Sequence, residues 1–186
     1  GVRWGLDLGS DDYNMPGYFG PQRWKYYRLG TMGHNTLAIN HKNQLPSARA
    51  PIIGFASTPS WAGAIADLTD AYPETQRVWR GVAMIDRRRI VVQDEVEAGE
   101  PVDAAWNVHT PAAVAVQGNR ATLTLGDDRL EVRILSPEDV RFEVDDVKVE
   151  SPQRPIEGVR RLTAVLPEHL TRLRLVVLFE EPRADD

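Results

Sequence analysis

Two residues near the start of the chain have side chains that could do chemistry together. Asp7 lies among apolar neighbours in the run Trp4-Gly5-Leu6-Asp7-Leu8-Gly9, and His34 opens the run Gly33-His34-Asn35-Thr36-Leu37-Ala38-Ile39-Asn40. We expect both runs to form neighbouring strands, and an aspartate in a buried strand needs a partner because an isolated buried charge is costly. The residue types leave two possibilities open. One is a structural Asp7–His34 hydrogen bond, and the other is a pair that supplies two of the usual three protein ligands of a zinc site.

Other residues that could act in catalysis or metal binding are few. The chain has no Cys, which excludes disulfides, thiolate zinc sites and cysteine nucleophiles. We expect His109 to be a strand residue that is hydrogen-bonded in or near the core, with a sugar contact as the alternative. His41 and His169 are expected to be solvated. No phosphate-binding loop, dinucleotide fingerprint or Gly-x-Ser-x-Gly elbow occurs, so phosphoryl transfer and serine hydrolysis have no support.

The elements that must position these residues are strands, because short runs with period-two alternation recur between turn residues along the whole chain. We predict strands near Val2–Leu8, Asn35–Asn40, Ile52–Ser57, Ala64–Leu68, Val78–Ile85, Arg89–Glu95, Val102–His109, Ala113–Val116, Ala121–Leu125, Leu130–Leu135, Arg141–Val144, Gly158–Leu166 and Leu173–Phe179. Gly118-Asn119 and Gly126-Asp127-Asp128 are predicted hairpin turns. So many strands with one apolar face each predict an all-β protein, a large antiparallel β-sandwich with solvated outer faces.

Residues 9–33 form a long segment that is rich in Gly, Pro and aromatic residues and has no sustained periodicity. Long irregular connections inside a domain are often functional. Its aromatic side chains either pack the segment onto the sheet or offer flat faces to sugar rings. Tyr13, Tyr18 and Arg28 are the residues that we predict to bind a polar, anionic saccharide. The charged tail, residues 180–186, is predicted to be frayed.

Composition and charge restrict the kinds of partner. The length of 186 residues predicts a single β-sandwich domain over residues 1–186. The net charge is -5 and the basic residues are dispersed, so nucleic acid is not an expected partner. No stretch approaches the ~20 consecutive apolar residues of a membrane span, so no membrane partner is expected. Because Val2–Leu8 is predicted to be the middle of a strand, we also expect that the domain is truncated at its N-terminus.

The front third of the chain resembles a known family. The runs that carry the resemblance are Gly1-Val2-Arg3-Trp4-Gly5-Leu6-Asp7-Leu8-Gly9-Ser10-Asp11-Asp12-Tyr13-Asn14, Pro16-Gly17-Tyr18-Phe19, Arg23-Trp24-Lys25-Tyr26-Tyr27-Arg28 and Gly33-His34-Asn35-Thr36-Leu37. They are similar to the β-domain of heparinase II/III-like proteins. Such proteins join an N-terminal helical (α/α) toroid to a large antiparallel β-sandwich, and many cleave uronate-containing polysaccharides by β-elimination. The resemblance implies an acidic polysaccharide as substrate, a missing toroid as partner domain, and a periplasmic or secreted location.

The resemblance also implies roles for individual residues. In the zinc-containing branch of the family, Asp7 and His34 would hold the metal together with a His from a preceding strand, and that His is absent from this chain. The ligand set for zinc is therefore incomplete here. His34 could instead contact the sugar carboxylate or a proton, and both roles stay open. The family's catalytic acid and base lie largely on the toroid, so the domain alone is expected to be inactive.

Two further expectations follow from the same features. The alternative function is a non-catalytic carbohydrate-binding or structural β-sandwich module. Binding of an oligosaccharide that is undiminished by Asp7→Ala and His34→Ala would favour it. A missing strand and a missing partner domain would leave an unpaired edge and an apolar surface, so we expect the domain to self-associate into a homo-oligomer.

Overall fold

Strands separated by turns fill most of the chain, as the alternating sequence pattern requires. A computed structural model of the protein describes residues 1–182. The strands are β1 (Leu37–Ile39), β2 (Ile52–Ser57), β3 (Trp61–Asp67), β4 (Arg77–Ile85), β5 (Arg89–Val102), β6 (Ala104–Thr110), β7 (Ala113–Gln117), β8 (Arg120–Leu125), β9 (Asp128–Ser136), β10 (Arg141–Asp146), β11 (Arg160–Val165) and β12 (Leu170–Glu180). Short 3-10 helices occupy Pro21–Lys25, Tyr27–Leu29, Thr31–Gly33 and Thr69–Ala71. Within the described residues, no helix has the length and apolar character needed to cross a membrane.

The strands form two sheets in which the strand pairs are antiparallel. The smaller sheet has the order β1-β6-β11-β10, and the larger has the order β2-β3-β4-β5-β12-β9-β8-β7. The predicted hairpins β7–β8 and β8–β9 are present, and their turn glycines Gly118 and Gly126 have φ values of 58° and 63°. Both glycines adopt the left-handed conformation that tight hairpin turns need. The prediction of an all-β, large antiparallel β-sandwich is confirmed.

The core lies between the two sheets. Trp106 on β6 is 2% exposed, and its ring centroid lies 6.5 Å from that of Phe142 on β10 and 6.4 Å from that of Phe179 on β12. Trp106 thus packs against residues of both sheets. Leu162 on β11 and Leu175 on β12 are fully buried in the same cluster. Burial of each such side chain contributes about 2 kcal/mol, which is why the period-two pattern determines the face that each strand turns inward.

The face of the smaller sheet that points away from the core is polar and is covered by residues 9–33. His109 pairs with Arg161 across β6 and β11, in the register that also places Asn107 opposite Thr163. Asn107 and His109 are nonetheless 0% exposed. The covering segment brings Met32 to 3.9 Å from Asn107 and the Tyr27 hydroxyl to 2.8 Å from His109. The irregular segment therefore buries polar groups, which need hydrogen-bond partners within it.

The N-terminal segment and the last described residues differ from the predicted secondary structure. The strand predicted at Val2–Leu8 is not present. Among residues 1–182, the backbone of this segment is held to another segment by one backbone hydrogen bond, from Leu6 N–H to the His109 carbonyl oxygen at 2.9 Å, which is too few to form a strand pair. The period-two alternation is real, since Leu6 and Leu8 are half-buried while Asp7 is exposed, but alternation in burial does not require a paired strand. At the other end, Glu180 is the last residue of β12. Residues 183–186 of the predicted frayed tail lie outside the described residues.

Strand β2 is at one edge of the larger sheet and exposes apolar side chains. Ile52 is 68% exposed and Phe55 is 75% exposed, and both lie on β2, which pairs with β3 alone in the part of the chain that the structure describes. An apolar edge strand with unpaired backbone groups can template association with another chain. Self-association stays a prediction that fits this edge.

Candidate functional site

Asp7 and His34 meet, although neither lies in a strand. Asp7 belongs to the irregular N-terminal segment, and His34 directly follows the 3-10 helix Thr31–Gly33. The His34 Nδ1 atom lies 2.9 Å from Asp7 Oδ2, and the two side chains are 39% and 66% exposed. The expectation of a buried aspartate on a neighbouring strand is wrong, because the segment that carries it lies at the surface. The predicted contact between the two side chains is present.

Electrostatics keep the Asp7 carboxylate ionised. Partial burial raises its pKa, but the Gly9 N–H, which donates to Oδ1 at 2.8 Å, and the contact with His34 outweigh burial, so that the pKa is lowered. A carboxylate can only accept hydrogen bonds, so Nδ1 of His34 carries the proton and donates it to Oδ2. In the neutral imidazole, Nε2 is then the basic nitrogen. The ring is oriented in the way that a carboxylate orients a catalytic or metal-binding histidine.

The pair does not by itself make a metal site. Among residues 1–182, no group of three His, Asp or Glu side chains is placed to hold a metal ion. The two donor atoms are also 2.9 Å apart, which is a hydrogen-bond distance. Zinc usually needs at least three protein ligands. Zinc binding therefore stays a prediction that depends on a ligand from outside the described residues.

Asn35 connects the segments that carry the two residues. Its Nδ2 donates to the Leu6 carbonyl oxygen at 3.0 Å, next to Asp7, and its Oδ1 accepts from the His109 backbone N–H at 2.8 Å. Both partners are distant in sequence, so the side chain does more than stabilise a local turn. Because Asn35 is adjacent to His34, this amide holds the N-terminal segment, His34 and strand β6 in one arrangement.

His109 is a fully buried histidine whose two ring nitrogens both have partners. Nδ1 lies 3.2 Å from Asn35 Oδ1 and Nε2 lies 2.8 Å from the Tyr27 hydroxyl. Asn35 Oδ1 is already assigned as an acceptor by its bond from the His109 N–H, so Nδ1 must be the protonated nitrogen. Nε2 then accepts from the Tyr27 hydroxyl. The prediction of a hydrogen-bonded strand histidine near the core is confirmed, and the structure adds Tyr27 as its partner.

The environment of His109 disfavours its charged form. Burial is the largest cause, the Arg161 guanidinium and His34 act in the same direction, and the negative charge of Asp7 opposes them. Together they lower the pKa of His109 from 6.5 to about 4. Burial likewise raises the pKa of the Tyr27 hydroxyl, which therefore stays protonated and able to donate. The Tyr27–His109–Asn35 chain is neutral at physiological pH.

The residue before His34 must be glycine because of a close backbone approach. A Cβ at Gly33 would lie 2.0 Å from the Tyr27 carbonyl oxygen and 3.2 Å from Arg28 Cα. Backbone atoms cannot yield as the end of a flexible side chain can.

We expect Gly33→Ala to destabilise the protein by about 2–3 kcal/mol and to displace His34. Urea unfolding measures the first effect. Gly118→Ala is the control, because a Cβ there has a strained φ but meets no other atom within 4 Å. If both variants lose the same free energy of unfolding, the prediction is wrong.

A buried ion pair on the larger sheet contacts the backbone of Asn35. Arg80 on β4 makes a two-bond contact with Asp94 on β5, at 2.7 Å from Nε and 2.9 Å from Nη2, and donates from Nη1 to the Asn35 carbonyl oxygen at 2.8 Å. Asp94 is 0% exposed. Burial lowers the pKa of Arg80, but the attraction of Asp94 outweighs it, so the pKa is raised and the guanidinium stays charged. The site thus rests on both sheets.

Comparison with known proteins identifies the fold family. The family model described as Heparinase II/III-like, C-terminal, matches residues 1–171. The chain belongs to this heparinase II/III-like C-terminal family. The resemblance that the front third of the sequence indicates is therefore confirmed. A search of curated proteins gave no match.

Solved structures show the same fold at low sequence identity. The heparan sulfate lyase HepC from Pedobacter heparinus matches with a TM-score of 0.75 and 14% identity, over 98% of this chain and 29% of that chain. A heparinase III gene product with methylated lysines matches with a TM-score of 0.77 and 15% identity, over 100% of this chain and 29% of that chain. This heparinase II/III-like domain thus spans less than a third of the length of the structures that it matches.

Two of the predicted substrate residues of the domain lie in one aromatic cluster. The ring centroids of Tyr13 and Tyr18 are 5.0 Å apart, and Phe19 lies 5.0 Å from Tyr18. Tyr13 is 60% exposed and is open to a ligand. Tyr18 is 2% exposed and has the Arg23 guanidinium 4.6 Å from its ring, so packing explains it and its burial does not favour a sugar contact. A role for Tyr13 in substrate binding stays a prediction.

Arg28 has structural partners that the sequence did not indicate. Its Nη1 donates to the Leu8 carbonyl oxygen at 2.9 Å and its Nη2 to that of Pro155 at 3.1 Å, while Nε lies 3.4 Å from Asp11 Oδ2. The side chain of Asp11 is 0% exposed. Burial raises the pKa of Asp11, but hydrogen bonds from Arg154 and Asp12 and the charge of Arg28 lower it overall. Arg28 therefore ties the N-terminal segment to residues 154–155, which leaves few of its donors for an anionic saccharide.

Proposed function

We propose that this domain forms one wall of the substrate cleft of a polysaccharide lyase, which cleaves uronate-containing polysaccharide by β-elimination. Membership of the heparinase II/III-like family supports the proposal, as does the fold shared with structures described as heparan sulfate lyases. The observation that carries it is the Asp7–His34 pair, a carboxylate-oriented imidazole that is exposed to solvent. Pairs of this kind position a proton carrier or a charge contact at a reaction centre.

The reaction sets three chemical tasks. The uronate carboxylate must be neutralised, the C5 proton must be removed by a base, and the departing glycosidic oxygen must receive a proton from an acid. Unprotonated Nε2 of His34 would suit the second task, as the base, because Asp7 accepts from the other ring nitrogen. The protonated ring would instead suit the first task. Within residues 1–182, Nε2 makes no hydrogen bond, so it remains open to a ligand. The remaining groups would come from the part of the protein outside this chain.

The same two side chains also suit the second proposed role, zinc binding. Asp7 and His34 would hold the ion, with a further ligand from outside the described residues. Bound zinc would supply a positive charge beside the substrate.

Metal analysis of the complete protein tests the zinc role. We expect bound zinc to be lost in His34→Ala and Asp7→Asn and retained in His41→Ala; a complete protein that purifies without metal and is unaffected by added zinc would exclude the zinc role.

The lyase proposal is tested in the complete protein that contains this domain. It should release unsaturated uronate, detected by ultraviolet absorbance, from at least one of heparan sulfate, hyaluronan, chondroitin and alginate. We expect His34→Ala to lower kcat/KM by about 100-fold or more, since a positioned proton carrier contributes at least that much. Asp7→Asn, which leaves the imidazole without its carboxylate, should lower it by about 10-fold or more.

His41 provides the matched control for His34. His41 is exposed, lies seven residues after His34, and makes no side-chain hydrogen bond within residues 1–182. The His41→Ala variant should keep wild-type kcat/KM. If no uronate-containing polysaccharide is cleaved, or if His34→Ala and His41→Ala have equal activity, the proposal is wrong.

A further inference from the structure

The domain has a surface depression that does not include the Asp7–His34 pair. It is a cavity of about 700 Å³ between the segment that contains the first two 3-10 helices and the segment after β10. Trp24, Lys25, Lys148, Glu150 and Gln153 are among the residues that line it, and neither Asp7 nor His34 does. Its volume is in the range of sites that hold small ligands.

The charges at this cavity are unusual for the chain. The protein has a net charge of -5 and three lysines, and two of these, Lys25 and Lys148, line the same cavity. The third, Lys42, is paired with Glu74. Within residues 1–182, Lys25 and Lys148 form neither ion pairs nor side-chain hydrogen bonds, and both are exposed. Two exposed lysines that line one cavity and lack acidic partners among the described residues favour an anionic ligand.

Trp24 adds an aromatic surface to the cavity. The residue is 38% exposed, and the Arg23 guanidinium lies 5.3 Å from its ring centroid, which restrains the ring. Its backbone is also held, since the Trp24 carbonyl oxygen accepts from Asn43 Nδ2 at 2.6 Å. A restrained, partly exposed indole can stack on a sugar ring at little entropic cost. The amide of Gln153 is held on the other wall, where its Oε1 accepts from the Tyr27 N–H at 2.6 Å.

We infer that this cavity, the Trp24–Lys148 cavity, is an accessory binding site for an acidic oligosaccharide, distinct from the Asp7–His34 pair. The indole of Trp24 takes a sugar ring, and Lys25 and Lys148 take carboxylate or sulfate groups. The carboxylate of Glu150 opposes the binding of an anion. The choice of a saccharide as ligand rests on the proposed function, whereas the anionic character of the ligand rests on the cavity itself.

Binding measurements on the complete protein test this inference. Isothermal titration with a heparan sulfate oligosaccharide is done in a His34→Ala background, so that turnover by the proposed reaction does not interfere. We expect Trp24→Ala to weaken binding by about 10-fold and each of Lys25→Ala and Lys148→Ala by roughly 5-fold at low salt. Glu150→Gln should strengthen binding, by about 2-fold or more.

Controls separate the accessory site from general charge effects. Lys42→Ala removes the same charge outside the cavity and should leave the dissociation constant unchanged. A neutral maltooligosaccharide should not bind, and inorganic sulfate should compete only weakly. The inference is overturned if the cavity variants bind like Lys42→Ala, if Glu150→Gln weakens binding, or if the neutral sugar binds equally well. Absence of lyase activity in the wild-type protein would defeat the proposed function and leave these binding results valid.

Discussion

Replacing His109 with leucine is expected to lower the free energy of unfolding at neutral pH by about 2–3 kcal/mol and to change its dependence on pH. Leucine is of similar size, but it leaves the Tyr27 hydroxyl and Asn35 Oδ1 without their partners on the imidazole. Buried polar groups that lose their partners cost about 1–3 kcal/mol each. Tyr27→Phe removes only the hydroxyl and should cost about 1 kcal/mol.

The pH dependence follows from the direction of the pKa shift. The pKa of His109 is about 4 in the folded protein and 6.5 in the unfolded chain, so the unfolded chain binds the proton more readily. This group therefore contributes stability that is fully present above pH 6.5 and is lost as the pH falls towards 4. Protonation of His109 in the unfolded chain removes about 3 kcal/mol of stability from the wild type over this range. The His109→Leu variant has no imidazole to titrate, so its stability does not change for this reason. The difference between wild type and variant should shrink towards zero across this range.

Urea unfolding at several pH values between 6.5 and about 4 measures this difference. Asp7 and Asp11, whose pKa values are lowered, lose their contributions at still lower pH in both proteins, so they cancel in the comparison. Leu162→Ala is the control, because it removes a fully buried side chain of β11 and should reduce stability equally at each pH. If His109→Leu and Leu162→Ala show the same pH dependence, His109 is not the titrating group.

His109 also shows where sequence reasoning reaches its limit. Its strand could be predicted, because period-two alternation reports which side of a strand is buried. Its partners could not: Tyr27 and Asn35 lie 82 and 74 positions away, and no local pattern distinguishes Tyr27 from the other aromatic residues of its segment. Likewise, Arg28 has the chemistry of an anion ligand, but only the fold reveals that Asp11 and carbonyl oxygens already occupy it.

The pair Asp7 and His34 was predictable for a different reason. Residue type and the family resemblance both pointed to these positions, and the contact does not depend on the secondary structure that was expected for them. The prediction of a strand at Val2–Leu8 was wrong. A strand needs a neighbouring segment whose backbone groups are free to pair with it, and alternation in burial does not report whether such a neighbour exists. Local patterns predict what each element buries, whereas contacts between distant segments decide which side chains meet.

Removing the carboxylate of Asp94 should be among the most damaging single changes in the domain. Asp94 is fully buried, and its loss leaves the Arg80 guanidinium, whose side chain is 17% exposed, without a counter-ion. Breaking a buried pair in this way costs about 3–4 kcal/mol. Arg80→Met should be at least as damaging, because it leaves the fully buried carboxylate of Asp94 without a counter-ion. Urea unfolding of Asp94→Leu and Arg80→Met measures both losses.

The double variant Arg80→Met/Asp94→Leu separates stability from positioning. With both charges gone, two apolar side chains occupy the space and neither leaves an unpaired charge, so at least half of the lost stability should return. Arg80 Nη1 is nevertheless absent, and the Asn35 carbonyl oxygen loses its donor beside His34. In the complete protein, we therefore expect the double variant to regain stability without regaining kcat/KM. Recovery of both would show that the ion pair stabilises the sandwich without positioning the Asp7–His34 pair.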